Sequence, residues 1–294
     1  MIVVDFPSAW ADNANVYIDK GLALHETLSD QPLIRTAFAP HAPYSVSDDA
    51  LLRLRDLAGE LGLPVHMHVH ETHDEIEHSL ERDQMRPFHR LQQLGLLGPS
   101  FIGVHMTQLL DAEIDRLAEL GSSVVHCPES NLKLASGFCP VAKLLDTGIN
   151  VALGTDSAAS NNDLNMLGEM KTAALLAKGV AGNAAVVPAH TALRMATLNS
   201  AKALGIDAEA GSLTIGKSAD ITAIRLDALE TQPLFEPVSQ IVYAANRDQV
   251  SDVWVAGRRL LKSHELITLD QAAIHEKTTA WSARLGNTKQ DTAA

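Results

Sequence analysis

The stretch Pro64-Val65-His66-Met67-His68-Val69-His70-Glu71-Thr72 decides how this chain is read. In an extended strand its alternate histidines project toward one face, and a carboxylic acid follows at once. A second acid stands in an apolar frame farther on, in Val151-Ala152-Leu153-Gly154-Thr155-Asp156-Ser157. Neutral imidazole nitrogen and hard carboxylate oxygen at the mouths of buried strands are what a catalytic divalent metal requires. Each run also has a plainer reading: a histidine-rich edge strand for the first, a helix cap before Ser157 for the second.

Outward from these runs, short aliphatic stretches alternate with helical ones. Residues 2–6, 33–39, 65–70, 101–105, 123–127 and 149–154 read as buried strands. Between them, 48–61, 74–94, 111–120 and 139–147 carry apolar residues at helical spacing. This alternation, with continuously apolar strands, predicts a parallel α/β architecture. Residues 163–204 read as wholly helical, and 211–224 with 250–267 read as the turn-linked strands of a small β module. Polar residues collect where the strands end: His41, then His68, His70 and Glu71, then His105, His126 and Asp156. In a (β/α)8 barrel the C-terminal face of the strands carries the chemistry, so the joint pattern says more than any one member of it.

Composition narrows the class of partner. Of 294 residues, 46% are apolar and 4% aromatic, enough for one large aliphatic core. The formal charge of -13 disfavours nucleic acid and acidic membrane surfaces, leaving a small-molecule substrate. Cys127 and Cys139 form neither a disulfide framework nor a structural zinc knuckle. With no signal-peptide pattern and no uncharged apolar run of about 18 residues, a cytoplasmic protein is expected. The triplet His73-Asp74-Glu75 matches the H-x-E of cytidine-type zinc deaminases, but no Pro-Cys-x-x-Cys follows it.

The sequence resembles the amidohydrolase superfamily, in particular the methylthioadenosine/S-adenosylhomocysteine deaminases and the related triazine hydrolases. The likeness is carried by His41-Ala42-Pro43-Tyr44-Ser45, His66 to Thr72, Gly103-Val104-His105, His126 to Leu134, and Leu153 to Asn162. The stretches 211–220 and 253–258 resemble the family's β-sandwich. The resemblance implies a partial (β/α)8 TIM-type barrel, strands three to eight, over residues 1–204. A C-terminal β-sandwich segment with a tail helix would fill 205–294. It places the metal ligands on His68 and Asp156, the latter also catalytic, and the proton-transferring acid on Glu71. His105 falls near the reacting water, and His41, with Glu71, on the substrate. His126 reads as structural, Arg86 as a salt-bridge partner, His73 and His78 as solvated. Trp10 resembles a position beside the pocket, with core packing as its rival.

The implied activity is a metal-dependent hydrolytic deamination of adenosine thioethers, with zinc first among the divalent ions and a homo-oligomer as the complete protein. The alternatives are a hydrolase of triazines or another heterocycle, and an inactive fragment that keeps the pattern. The family's metal site also uses a His-x-His pair on strand one, and residues 2–6 resemble strand three. A barrel of this type takes ~250 residues before its sandwich is added. The chain is therefore expected to represent the C-terminal two-thirds of such an enzyme, and alone to bind zinc weakly and turn over little.

Overall fold

The computed structural model describes residues 1–291. In chain order the elements begin with β1 (Ile2–Val3), α1 (Ala14–Leu28), β2 (Ala39–Pro40), α2 (Asp48–Leu61), β3 (Val65–Val69), α3 (His73–Asp83) and α4 (Pro87–Gln93). There follow β4 (Phe101–His105), α5 (Asp111–Leu120), β5 (Ser123–His126), α6 (Pro128–Lys133), α7 (Val141–Asp146) and β6 (Val151–Leu153). Helices α8 (Ala158–Asn161), α9 (Met166–Ala181), α10 (Ala189–Ala196) and α11 (Leu198–Ala203) complete the first part.

Strands β3, β4, β5 and β6 are hydrogen-bonded side by side in chain order, all parallel. β1 pairs in parallel with β2, and a parallel bridge between Phe38 and Val65 links that pair to β3. Each crossover runs through helix, so every strand end of one polarity falls on one rim, as the apolar strands require. The core is aliphatic: Val65, Met67, Val69, Val124, Val151, Leu51 and Leu117 are all buried. The predicted strand at 33–39 shrinks to its last residue and Pro40. Leu33 and Ile34 lie exposed on a turn that contains Pro32, in which the Ile34 N–H bonds to the Gln31 carbonyl.

The helices stop where local chemistry stops them. Ser47 accepts from the Ala50 N–H at the start of α2, and Gly62, at φ 64°, ends it in the left-handed region. The helix predicted over 74–94 is two helices. Gln84 turns left-handed at φ 55°, Arg86 is extended, and Pro87 opens α4 without an N–H to donate. The predicted 163–204 helix is likewise interrupted, by Gly182 with Pro188 and again at Thr197.

Beyond residue 205 the chain forms β7 (Ile221–Ile224), α12 (Pro237–Tyr243), β8 (Val250–Val255), β9 (Arg258–Lys262), β10 (Glu265–Leu266) and α13 (Gln271–Asp291). The four strands make one antiparallel sheet in the order β10-β9-β8-β7. Residues 211–218, expected as strand, are turns, and the last three positions of the expected second segment, 292–294, lie outside the described residues.

Candidate metal centre

Three donor groups converge on the strand-end rim. His68 (β3), His105 (β4) and Asp156 (just after β6) each offer a ligand atom, and these atoms lie within 4.8 Å of one another. Two of the three sit in a backbone conformation that side chains other than glycine seldom adopt: His105 at φ 73° and Asp156 at φ 60°. Such strain persists where surrounding bonds over-determine it, and here they do.

Each donor is oriented by a partner behind it. The His68 Nδ1–H donates to the His41 carbonyl at 2.6 Å, which leaves Nε2 as the lone-pair nitrogen. The His105 Nδ1–H donates to Asn131 Oδ1 at 2.8 Å, again freeing Nε2. Asp156 Oδ2 accepts from Ser130 Oγ at 2.7 Å and Ser160 Oγ at 2.6 Å, so Oδ1 stands outside the serine pair. Two imidazole nitrogens and a carboxylate oxygen, each oriented by a hydrogen-bond partner, form a donor set that fits a divalent metal.

For His105 and Asp156 the electrostatics agree with that assignment. Burial lowers the His105 pKa against the pull of Glu71, Asn131 and Asp156. Burial and then His68 lower that of His41. For Asp156 burial opposes the charge, but the Ser160 and Ser130 hydroxyls and the Ser157 N–H outweigh it and hold the carboxyl below its usual range.

The remaining residues singled out by the sequence divide clearly. Glu71 belongs to the rim: its Oε2 lies 3.6 Å from His105 Nε2, and Ser136 Oγ donates to its Oε1 at 3.2 Å. His41 is beside it, edge-on to His68 with ring centroids 5.2 Å apart, its Nδ1 against Ser45 Oγ. His70 does not share the face of His68, because alternation ends at Val69. His70 turns left-handed at φ 55°, accepts from the Phe88 N–H at Nε2, and presents Nδ1 to buried Glu113 at 3.7 Å. Arg86 pairs with that same Glu113 at 2.7 Å, and His73 is exposed. His126 is buried with its Nδ1 unpartnered among the described residues, and burial pushes its pKa down to about 3. Trp10 is 57% exposed rather than packed in the core, with the Lys20 ammonium over its ring.

Sequence reasoning passed over the residues that hold these groups. Ser130, Asn131 and Ser160 lie inside the quoted motifs, yet their roles depend on which strand ends meet. Glu169 of α9 is fully buried, accepts from Asn161 Nδ2 at 2.5 Å, and so anchors the loop carrying Asp156. Glu75 does the same beneath Glu71; its Thr72-x-x-Glu75 spacing is a capping-box signal that was there to be found.

The amidohydrolase family model matches residues 11–260. The 5-methylthioadenosine/S-adenosylhomocysteine deaminase of Teredinibacter turnerae is 50% identical over 284 residues, covering 97% of this chain and 64% of the relative. The crystal structure of an adenosine deaminase from Xanthomonas campestris with bound zinc superimposes with a TM-score of 0.95 at 51% identity, covering 97% of this chain and 65% of that one. A mutant atrazine chlorohydrolase from Arthrobacter aurescens, complexed with zinc and atraton, superimposes at 0.88 with 24% identity. That match covers 95% of this chain and 64% of the other, and bears on the fold alone. The chain belongs to the amidohydrolase family, and its fold is the TIM-barrel-like α/β fold of these neighbours. It spans less than two thirds of the length of the relatives it matches. Among the described residues no helix is long and apolar enough to cross a membrane.

Proposed function

We propose that this chain carries the strand-end catalytic groups of a zinc-dependent hydrolytic deaminase of adenosine thioethers. The substrates would be S-adenosylhomocysteine and 5-methylthioadenosine, the products their inosine analogues and ammonia. The observation that carries the reading is the convergence of His68, His105 and Asp156 within 4.8 Å, with Glu71 against His105. The name of the Teredinibacter relative, at 50% identity, supports the substrate class. The zinc in the Xanthomonas structure supports the metal.

His68 and Asp156 would hold the zinc, which supplies Lewis acidity that brings deprotonation of water into the neutral range. Asp156 accepts the proton of the attacking water, a task suited to a carboxylate kept ionised by two serine hydroxyls. Neutral His105, fixed by Asn131, holds that water in line through Nε2. Glu71 protonates the ring nitrogen beside the carbon under attack, and the tetrahedral adduct collapses with loss of ammonia. His41, edge-on to His68, contacts the purine or its ribose.

The same reading takes β1 to β6 as strands three to eight of an eight-stranded barrel, and β7 to β10 as part of a β-sandwich beginning after residue 204. It also includes a cytoplasmic location and a homo-oligomer, the latter to be read by light scattering. In the complete enzyme, ammonia release from S-adenosylhomocysteine and methylthioadenosine, set against free adenine, cytosine and guanine and against chloride release from chlorotriazines, tests the proposal. Both thioethers should lead. Faster turnover of a free base or a triazine would assign the site to another heterocycle.

A further inference from the structure

Below the rim, the backbone of Glu71 is held by a second carboxylate. Glu75, in the first turn of α3, places one oxygen on each of two successive N–H groups: Oε1 on His70 at 3.0 Å and Oε2 on Glu71 at 2.7 Å. An ordinary capping box would spend that carboxylate on the N–H of the cap residue, here Thr72. Thr72 does cap α3, its Oγ1 accepting from the Glu75 N–H at 3.2 Å. The return contact reaches past it to the two residues that set the direction of the Glu71 side chain. One of these, His70, is the left-handed residue at φ 55°.

Glu75 is 7% exposed, so its charge is kept out of water although a helix cap alone needs no such burial. Burial, and to a lesser degree the nearby Glu71, push its pKa up to about 7, while the N–H groups it accepts from pull the other way. The opposite side of the Glu71 backbone is fixed as well: Thr107 Oγ1 donates to its carbonyl at 2.7 Å. With Ser136 on Oε1, Glu71 is held at its N–H, its carbonyl and its carboxylate.

We infer that Glu75 is a positioning residue for Glu71, its carboxylate gripping the His70 and Glu71 N–H groups so that the Glu71 side chain is presented toward His105. This rests on the proton-transfer role given to Glu71 above. Only a carboxylate offers two acceptors to two donors. Glutamine can satisfy one N–H and opposes the other with its own amide hydrogens, and alanine satisfies neither.

The experiment compares wild type, Glu75→Gln and Glu75→Ala of the complete enzyme, each loaded with zinc and assayed above about pH 7, where Glu75 is ionised. Readouts are kcat and KM for methylthioadenosine, zinc content, melting temperature, and amide hydrogen exchange of the peptide spanning residues 70–72. Glu75→Gln should lower kcat about ten- to a hundredfold, the scale of a small misplacement of a reacting group, with KM and zinc content unchanged. Glu75→Ala should lower it further. Exchange at 70–72 should quicken in the same order, because Glu75 also walls a cavity of about 370 Å³ through which water would reach the freed amides. In a Glu71→Gln background Glu75→Gln should cost nothing more in residual turnover, since it acts through Glu71. A drop in melting temperature with kcat unchanged would reduce Glu75 to a helix cap and overturn the inference, as would an additive loss in the double variant. If the wild type turns over no adenosine thioether, the functional reading fails and exchange alone decides the clamp. Faster exchange at 70–72 in both variants then upholds it, and unchanged exchange refutes it.

Discussion

At the scale of single residues, the rim separates groups that would hold a metal from one that would move a proton. In the complete enzyme, Glu71→Gln should lower kcat by about a hundred- to ten-thousandfold, the usual worth of general acid–base transfer, while zinc measured by atomic absorption stays at the wild-type level. His68→Ala and Asp156→Ala should lose metal and turnover together. If Glu71→Gln stripped the metal, the division of roles around β3 would be wrong. His41→Ala should reduce kcat/KM for methylthioadenosine with metal retained, since its ring lies beside His68 without belonging to the donor group. Of this rim, His41, His68, Glu71, His105 and Asp156 were legible because strand-end position and motif coincide in them. The orientation of each was not. Asn131, Ser130 and Ser160 act across 26, 26 and 4 positions of sequence on His105 and Asp156, and no local pattern encodes the two longer separations. The alternation rule also grouped His70 with His68. It failed there because a strand's period of two holds only while the chain stays extended, and φ 55° ends it.

Among the elements, the end of β3, α4 and α5 are tied by one buried acid. Glu113 opens α5 by accepting from the Leu110 N–H at 2.8 Å, takes a two-point ion pair from Arg86 at the head of α4, and faces His70. Burial works against its charge, yet the Arg86 guanidinium and then His70 and Leu110 hold its carboxyl below the ordinary value. Removing Arg86 would leave that charge unpaired in the interior, so Arg86→Met should cost roughly 3 kcal/mol in urea unfolding. An unchanged midpoint would mean that the pair adds nothing to the junction. The sequence predicted β3 to β6 and α2 and α5 nearly to their ends, because their periodicity is long and their caps are explicit. Helix α1 shows weaker marking: its buried positions Ala14, Tyr17, Ile18 and Gly21 keep helical spacing, but two of them are too small to register as apolar. The split between α3 and α4 shows the reverse case, in which apolar spacing runs on through Arg86-Pro87 while the proline ends the hydrogen bonding.

Across the whole molecule, the buried titratable groups set how stability varies with pH, and they pull in opposite directions. His126 and His70, lowered by burial to about 3 and about 4, are neutral in the fold, whereas the unfolded chain protonates its histidines near 6.5. Their contribution is therefore present above about pH 6.5 and is lost as pH falls toward those values. Glu75 and Glu169 are both raised by burial to about 7, so between about pH 4.5 and 7 the folded chain keeps protons that the unfolded chain releases. Their contribution is present below about pH 4.5 and is lost as pH rises through 7, each such shift being worth roughly 3 kcal/mol. Over about pH 4.5 to 6.5 the two glutamates oppose a larger set, because burial also lowers His41, His66 and His105, and the histidines outweigh them. Below that window the histidines dominate, joined by Asp156 and Glu113, whose lowered pKa values add to acid loss. Above it the two glutamates act against the Met1 ammonium, whose pKa burial lowers. Urea midpoints of the metal-free chain should thus fall below about pH 6.5, gently down to about pH 4.5, where the two glutamates oppose the histidines, and steeply below it. Glu169→Gln should steepen the change between about pH 4.5 and 6.5 while leaving the fall below it in place, because it removes one of the two carboxyls that oppose the histidines there. An unchanged slope over that range in Glu169→Gln would show that this buried carboxyl does not keep its proton in the fold.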